Sequence, residues 1–155
     1  MSVTIDADLL LNATDQSSRY HQPALDLMHT LAAGPEELFL FWPVAAAYAR
    51  LATDAGVFEQ PLSSEQVKGN LASLIERPHV RAVGEERSFF EAYGEAAGYV
   101  FLKGDFVAHG YLVALMRQHG VTTLWSHDPK FRQFPGIVVR NPYRPALQGT
   151  PAADR

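Results

Sequence analysis

Short apolar runs of strand length alternate along this chain with longer segments whose apolar residues recur every three or four positions. Val3 to Asp6 reads as a short strand with β-branched residues, and Leu38 to Trp42 as a fully apolar strand stopped by Pro43. Val80 to Val83, Val121 to Trp125 and Ile137 to Arg140 have the same character. Between them, His21 to Ala33 carries an apolar stripe of Ala24, Leu25, Met28, Leu31 and Ala32, and the alanine-rich Val44 to Ala55 ends at Gly56. Ser63 and Gln66 have capping-box spacing ahead of Val67, Leu71, Leu74 and Ile75, and Pro78 closes that helix. Ser88 to Ala97 and Asp105 to His119 complete the helical segments, with Gly120 in the usual position past a helix end. Strands apolar on both faces, alternating with helices, make a parallel sheet covered on each side. The expected fold is a three-layer α/β/α domain with a central, mainly parallel sheet of four to five strands. At 155 residues the chain has the length of one domain, expected over 1–143. Residues 144–155, rich in proline and small residues, read as a flexible tail.

Composition narrows the function. With 47% hydrophobic and 19% charged residues the chain has an ordinary globular make-up. No apolar run approaches the ~20 residues of a membrane span. The opening residues lack the layout of a secretory signal, so a cytoplasmic location without membrane attachment is expected. The absence of cysteine excludes disulfides, thiolate metal sites and a cysteine nucleophile. No glycine-rich phosphate loop follows a strand, which argues against P-loop and dinucleotide enzymes. The net charge is −4, distributed unevenly. Residues 1–60 hold eight acids and two arginines, whereas residues 117–144 hold Arg117, Lys130, Arg132, Arg140 and Arg144 against Asp128 alone. A cation site and a phosphate-facing rim can coexist on such a chain, although solvated faces explain either cluster taken alone.

In an open parallel sheet, ligands bind at the carboxyl ends of the strands. Asp6 ends the first strand, and Asp128 follows the Val121–Trp125 strand in Ser126-His127-Asp128. The helix starting at Asp105 has its N-terminus at the same edge, with Asp105 and His109 four apart on one face. Asp6, Asp105 or His109, and Asp128 thus converge on one rim. Clustered carboxylates repel, and Mg²⁺ or Mn²⁺ relieves them, polarising water and neutralising charge on a phosphodiester. Local roles compete: Asp6 as a helix cap, Asp105 as a dipole partner at a helix start, and Asp128 as an Asx-turn before Pro129.

At these residues the sequence resembles PIN-domain proteins, specifically the VapC toxins of bacterial toxin–antitoxin pairs. Val3-Thr4-Ile5-Asp6-Ala7-Asp8-Leu9-Leu10-Leu11 is similar to the family's first-acid motif. Tyr20-His21 followed by Ala24 is similar to the early helix of many members, and Ala49-Arg50-Leu51-Ala52-Thr53 to the Arg-Leu-x-Thr stretch. The strongest match is residues 119–143, with the late Asp128, Phe131, Phe134-Pro135-Gly136 and the closing Asn141-Pro142. The resemblance implies a metal-dependent endoribonuclease that uses Mg²⁺ or Mn²⁺ and acts on an RNA substrate. It further implies a homodimer and neutralisation by a VapB-type antitoxin. The family's first and last acids fall on Asp6 and Asp128. The usual second acid falls on Ala47, the usual third on His109, and a further late acid on Lys130.

The expected catalytic residues are therefore Asp6 and Asp128, with Asp6, Asp128, Asp105 and His109 as metal ligands. An imidazole ligand favours Mn²⁺. Arg117, Lys130, Arg132 and Arg140 are the expected RNA-phosphate contacts. Trp125, Phe131 and Phe134 are aromatic enough to stack bases, though Phe131 and Phe134 fit better as core anchors. One alternative is a PIN scaffold that binds antitoxin or RNA without cutting, through the Ser63–Arg77 helix or the Leu38–Phe41 neighbourhood. Another is a haloacid-dehalogenase-like Mg²⁺ phosphatase, in which Asp6 is the nucleophile, Asp8 the general acid, and Gly104-Asp105 the late motif.

Overall fold

The computed structural model describes residues 1–98 and 102–144. Among the described residues, five strands form one sheet: β1 (Ser2–Ile5), β2 (Glu37–Phe41), β3 (Val80–Val83), β4 (Thr123–Trp125) and β5 (Val138–Arg140). Their order is β3-β2-β1-β4-β5, and every pairing is parallel. The helices described between them are α1 (Ala7–Thr14), α2 (His21–Ala33), α3 (Trp42–Ala52), α4 (Ser64–Ile75), α5 (Phe89–Ala97) and α6 (Asp105–Gln118). The chain steps outward from β1 to β3, then returns across the sheet to β4. Right-handed crossovers accordingly place α1–α4 on one face and α5–α6 on the other. The packing agrees, with α1 against α2 and α3, α3 against α4, and α5 against α6. The expected α/β/α architecture is what the chain adopts. The expected tail lies almost wholly outside the described residues, as does most of the apolar stretch at 99–102.

Several elements differ from expectation for physical reasons. β1 ends at Ile5, because Asp6 turns away to cap α1 and accepts a hydrogen bond from the Leu9 N–H. Helix α1 itself escaped the periodicity reading, since Leu9, Leu10 and Leu11 are three consecutive buried leucines. A helix packed on two sides loses its 3.6-residue signature. Pro43 does not separate strand from helix. It occupies the first turn of α3, where a missing N–H is harmless. β4 begins two residues after Val121, because Gly120 takes φ 68° to end α6 and Val121 still bonds back to Met116. The Ser63–Gln66 capping box is present in full.

The core is continuous along the sheet. Val3 and Ile5 of β1, Leu38, Leu40 and Phe41 of β2, and Leu124 of β4 are all fully buried. The Leu38–Phe41 neighbourhood is therefore interior and not a docking surface. Phe131 and Phe134 are also buried, as expected of core anchors. They hold the short 3₁₀ turn Pro129–Gln133 against the sheet, just past the end of β4. Because β4 fixes that turn, Leu124→Ala should destabilise the protein by about 2–5 kcal/mol in chemical denaturation. A loss below about 1 kcal/mol would contradict this packing.

Candidate active site

The carboxyl edge of the sheet carries a connected polar network. Asp6, only 8% exposed, accepts the Leu9 N–H at 3.1 Å on Oδ1 and the Ser126 hydroxyl on Oδ2. The same Ser126 oxygen accepts the Asp128 N–H at 3.0 Å. Asp128 Oδ1 takes the Lys130 N–H at 2.9 Å, which is the Asx-turn foreseen before Pro129. Asp128 Oδ2 lies 2.7 Å from His109 Nε2, and His109 Nδ1 lies 2.6 Å from the Asp105 carbonyl oxygen. A carbonyl and an ionised carboxylate only accept, so each ring nitrogen of His109 faces an acceptor. Asp6, Asp128 and His109 are thus brought together from β1, the β4–β5 connection and α6. Asp6 serves as helix cap and site residue at once.

The two carboxyls are driven in opposite directions. Burial pushes Asp6 up to about 7, assisted by the charges of Asp8 and Asp128 and opposed by its bonds to Ser126 and Leu9. For Asp128 burial also raises, but the Lys130 N–H and the bond to His109, with the charges of His109 and Lys130, outweigh it and hold the carboxyl below its ordinary value. Asp8 feels Asp128, His127 and His109 electrostatically and is itself raised, chiefly by burial. It belongs to this cluster, although sequence reasoning used it only for the phosphatase alternative. Ser126, 2% exposed, was missed. Its signal was a hydroxyl two residues before an acid at a strand end. Tyr143 was missed too: Asn12 donates to its hydroxyl at 2.9 Å, it stacks on Tyr20, and burial and the nearby Asp6 and Asp8 push it up to about 12.

Other expected residues are placed differently. The Asp105 carboxylate is 85% exposed and faces Lys130 Nζ at 3.5 Å, so this residue contributes its backbone carbonyl to the network and not its carboxylate. That also leaves the late motif of the phosphatase alternative unbuilt. Arg117 sits at the far end of α6, about 12 Å along the helix from His109, and donates to the Pro135 carbonyl. Lys130 and Arg140 do stand at the rim. Arg140 lies over the Trp125 ring, and its carbonyl accepts the Ser126 N–H. Arg132 is exposed on the 3₁₀ turn. Ala47 lines a largely apolar cavity of about 560 Å³, together with Asp6, His109, Val44, Leu112 and Phe131. The wall where the family places an acid therefore offers no ligand.

The donors present do not fit a divalent ion as they stand. Each carboxylate oxygen of Asp6 and Asp128, and each nitrogen of His109, is engaged in the internal network. Among the described residues no three His, Asp or Glu side chains form a metal-ready group. The raised Asp6 carboxyl has a consequence for stability. Below pH 3.8 it is neutral in the folded and unfolded chain alike. Between there and about 7 the unfolded chain gives up the proton and the folded one keeps it, so stability falls as pH rises. Above that range a penalty of a few kcal/mol persists. Asp6→Asn should therefore melt higher than the parent protein at pH 8, with the gain shrinking toward pH 4. A pH-independent difference in melting temperature would contradict the burial of this carboxylate.

No family model matches the chain. Ribonuclease VapC48 of Mycobacterium tuberculosis is 43% identical over 143 residues, 92% of this chain and 99% of that protein. Ribonuclease VapC37 of the same organism is 28% identical over 143 residues, 92% and 97% of the two chains. Among solved structures, the sarcin-ricin loop cleaving toxin VapC20 of M. tuberculosis superposes with a TM-score of 0.61 at 16% identity, covering 84% of this chain and 93% of that one. A toxin–antitoxin complex from Klebsiella pneumoniae gives 0.62 at 16% identity, over 92% and 98%. The fold, the placement of Asp6 and Asp128, and near full-length similarity to VapC48 lead to one assignment: this chain belongs to the VapC ribonuclease family.

Proposed function

We propose that this protein is a ribonuclease toxin that hydrolyses RNA phosphodiesters at the notch built by Asp6, Asp128 and His109. The observation that carries this reading is the buried Asp6 carboxyl, joined through Ser126 to Asp128 at the carboxyl edge of the sheet. A carboxyl whose pKa lies near 7 takes a proton from an attacking water more readily at neutral pH than an ordinary, more acidic one. Ser126 positions that carboxyl, and Lys130 and Arg140 supply positive charge at the rim for the phosphates. The resemblance implies Mg²⁺ or Mn²⁺, but the donors are bonded to one another, and no step is assigned to an ion here. A VapB-type antitoxin as partner, a homodimer and a cytoplasmic location complete the proposal. Family membership supports the antitoxin. For location, the supporting fact is that no helix among the described residues is long and apolar enough to cross a membrane.

Ala47 and His109 favour a second reading, a module that binds RNA or antitoxin without cutting. Incubation of the purified protein with labelled RNA separates the two. On the ribonuclease reading, Asp6→Asn and Asp128→Asn each lower cleavage at least about a hundredfold with the circular dichroism spectrum retained. Unchanged cleavage by Asp6→Asn would rule that reading out, and RNA bound intact by the parent protein would establish the module. Lys130→Ala and Arg140→Ala should each weaken RNA binding across sequences. Each should also flatten the dependence of log K on log salt by about 0.7 per lost phosphate contact, measured by fluorescence anisotropy.

A further inference from the structure

The His109 ring is held on every side that matters. Its Nε2 is bonded to Asp128 Oδ2 at 2.7 Å and its Nδ1 to the Asp105 carbonyl at 2.6 Å. Phe131 packs against the ring at 4.5 Å and Phe106 at 5.5 Å, and only 12% of the side chain is exposed. Asp128 is fixed in turn by the Lys130 N–H and through its own N–H to Ser126. Lys130 also brings its ammonium group to 3.5 Å from Asp105. Positive charge and hydrogen-bond donors thus already surround Asp128. Across the cavity, Ala47 presents only a methyl group.

We propose that His109 occupies the space a divalent cation would take beside Asp128, so that Mg²⁺ or Mn²⁺ enters only by displacing the ring. His109 is then an occupant that lowers metal affinity and not a ligand that supplies it. A ligand needs its Nε2 lone pair free for the ion, whereas here Nε2 lies in direct hydrogen-bond contact with the carboxylate that would share that ion. The two phenylalanine rings hinder the imidazole from swinging aside to open a gap. With Ala47 opposite, an ion bound there would have too few protein oxygens to hold it tightly. The inference concerns the same notch as the proposed ribonuclease but does not depend on RNA being cut.

The sign of a single substitution distinguishes occupant from ligand. Calorimetric titration of the full chain with Mn²⁺ and Mg²⁺, in the absence of RNA, should show weak or no binding to the parent protein up to millimolar metal. His109→Asp should bind Mn²⁺ at least about tenfold tighter, because the plug is removed and an oxygen donor replaces it. His109→Ala should bind no more weakly than the parent. Circular dichroism melts establish that each variant is folded, and His109→Ala serves as the test if His109→Asp does not fold. Weaker Mn²⁺ binding by His109→Ala than by the parent would overturn the proposal, since that is the behaviour of a ligand. Parent affinity equal to that of a folded His109→Asp would overturn it as well. So would failure of the folded His109→Asp protein to bind millimolar Mn²⁺. Cleavage unaffected by Asp6→Asn would sink the ribonuclease reading and leave these metal results standing.

Discussion

Asp6 leaves the central strand β1 at the point where the chain turns into α1, and its carboxylate is withdrawn from water there. An isolated buried carboxylate is costly, and the surroundings show how the cost is offset. The first-turn Leu9 N–H of α1 donates to one oxygen, where the helix dipole also favours negative charge. Ser126, delivered by β4, donates to the other. Both donors depend on β1 lying between its neighbours, since β4 pairs directly with β1 in register Ile5 to Trp125. Sheet order and site chemistry are in this sense one constraint. Moving β4 elsewhere would strand the acid without its second donor.

The two acids that Ser126 connects behave differently. Asp6 is raised by burial, while Asp128 is held low by backbone and imidazole donors and by Lys130. Paired carboxyls pushed apart in this way can take different protonation states at one pH, which acid–base chemistry requires. Here burial raises Asp6, while the Lys130 N–H, His109 and the Lys130 charge hold Asp128 low. Ala47 goes with this arrangement, because a further acid on that wall would add negative charge to a cluster already raising Asp6 and Asp8.

Most of the architecture was legible because strands buried on both faces have to be apolar throughout. Leu38–Phe41 could hardly be anything else, whereas the edge strand Val80–Val83 carries the exposed Arg81, and parallel pairing followed from the helices between strands. Helix α1 was hidden for a related reason, since three consecutive buried leucines, Leu9 to Leu11, blur the periodicity that reveals helices. The rim position of Asp6 and Asp128 was readable from strand ends. Which atom of Asp105 faces inward was not. A residue's place on a helix gives its direction only to within a quadrant, and the Lys130 ammonium outside draws the side chain. Arg117 was assigned to the rim by charge alone, although α6 carries it away from that edge. The place of Ser126 beside an acid at a strand end was readable, but its weight comes from burial against Asp6, which the sequence does not show.

The placement of β1 between β2 and β4 has a temporal side. Asp6 is translated 120 positions before Ser126. At roughly 5–20 residues per second, tens of seconds or less separate the synthesis of the acid from that of the donor that completes its environment. During that interval β1 can pair with β2 while its other edge waits, and the notch does not exist. A nascent chain of this topology therefore lacks the second donor to Asp6 until Ser126 has emerged and β4 has paired with β1.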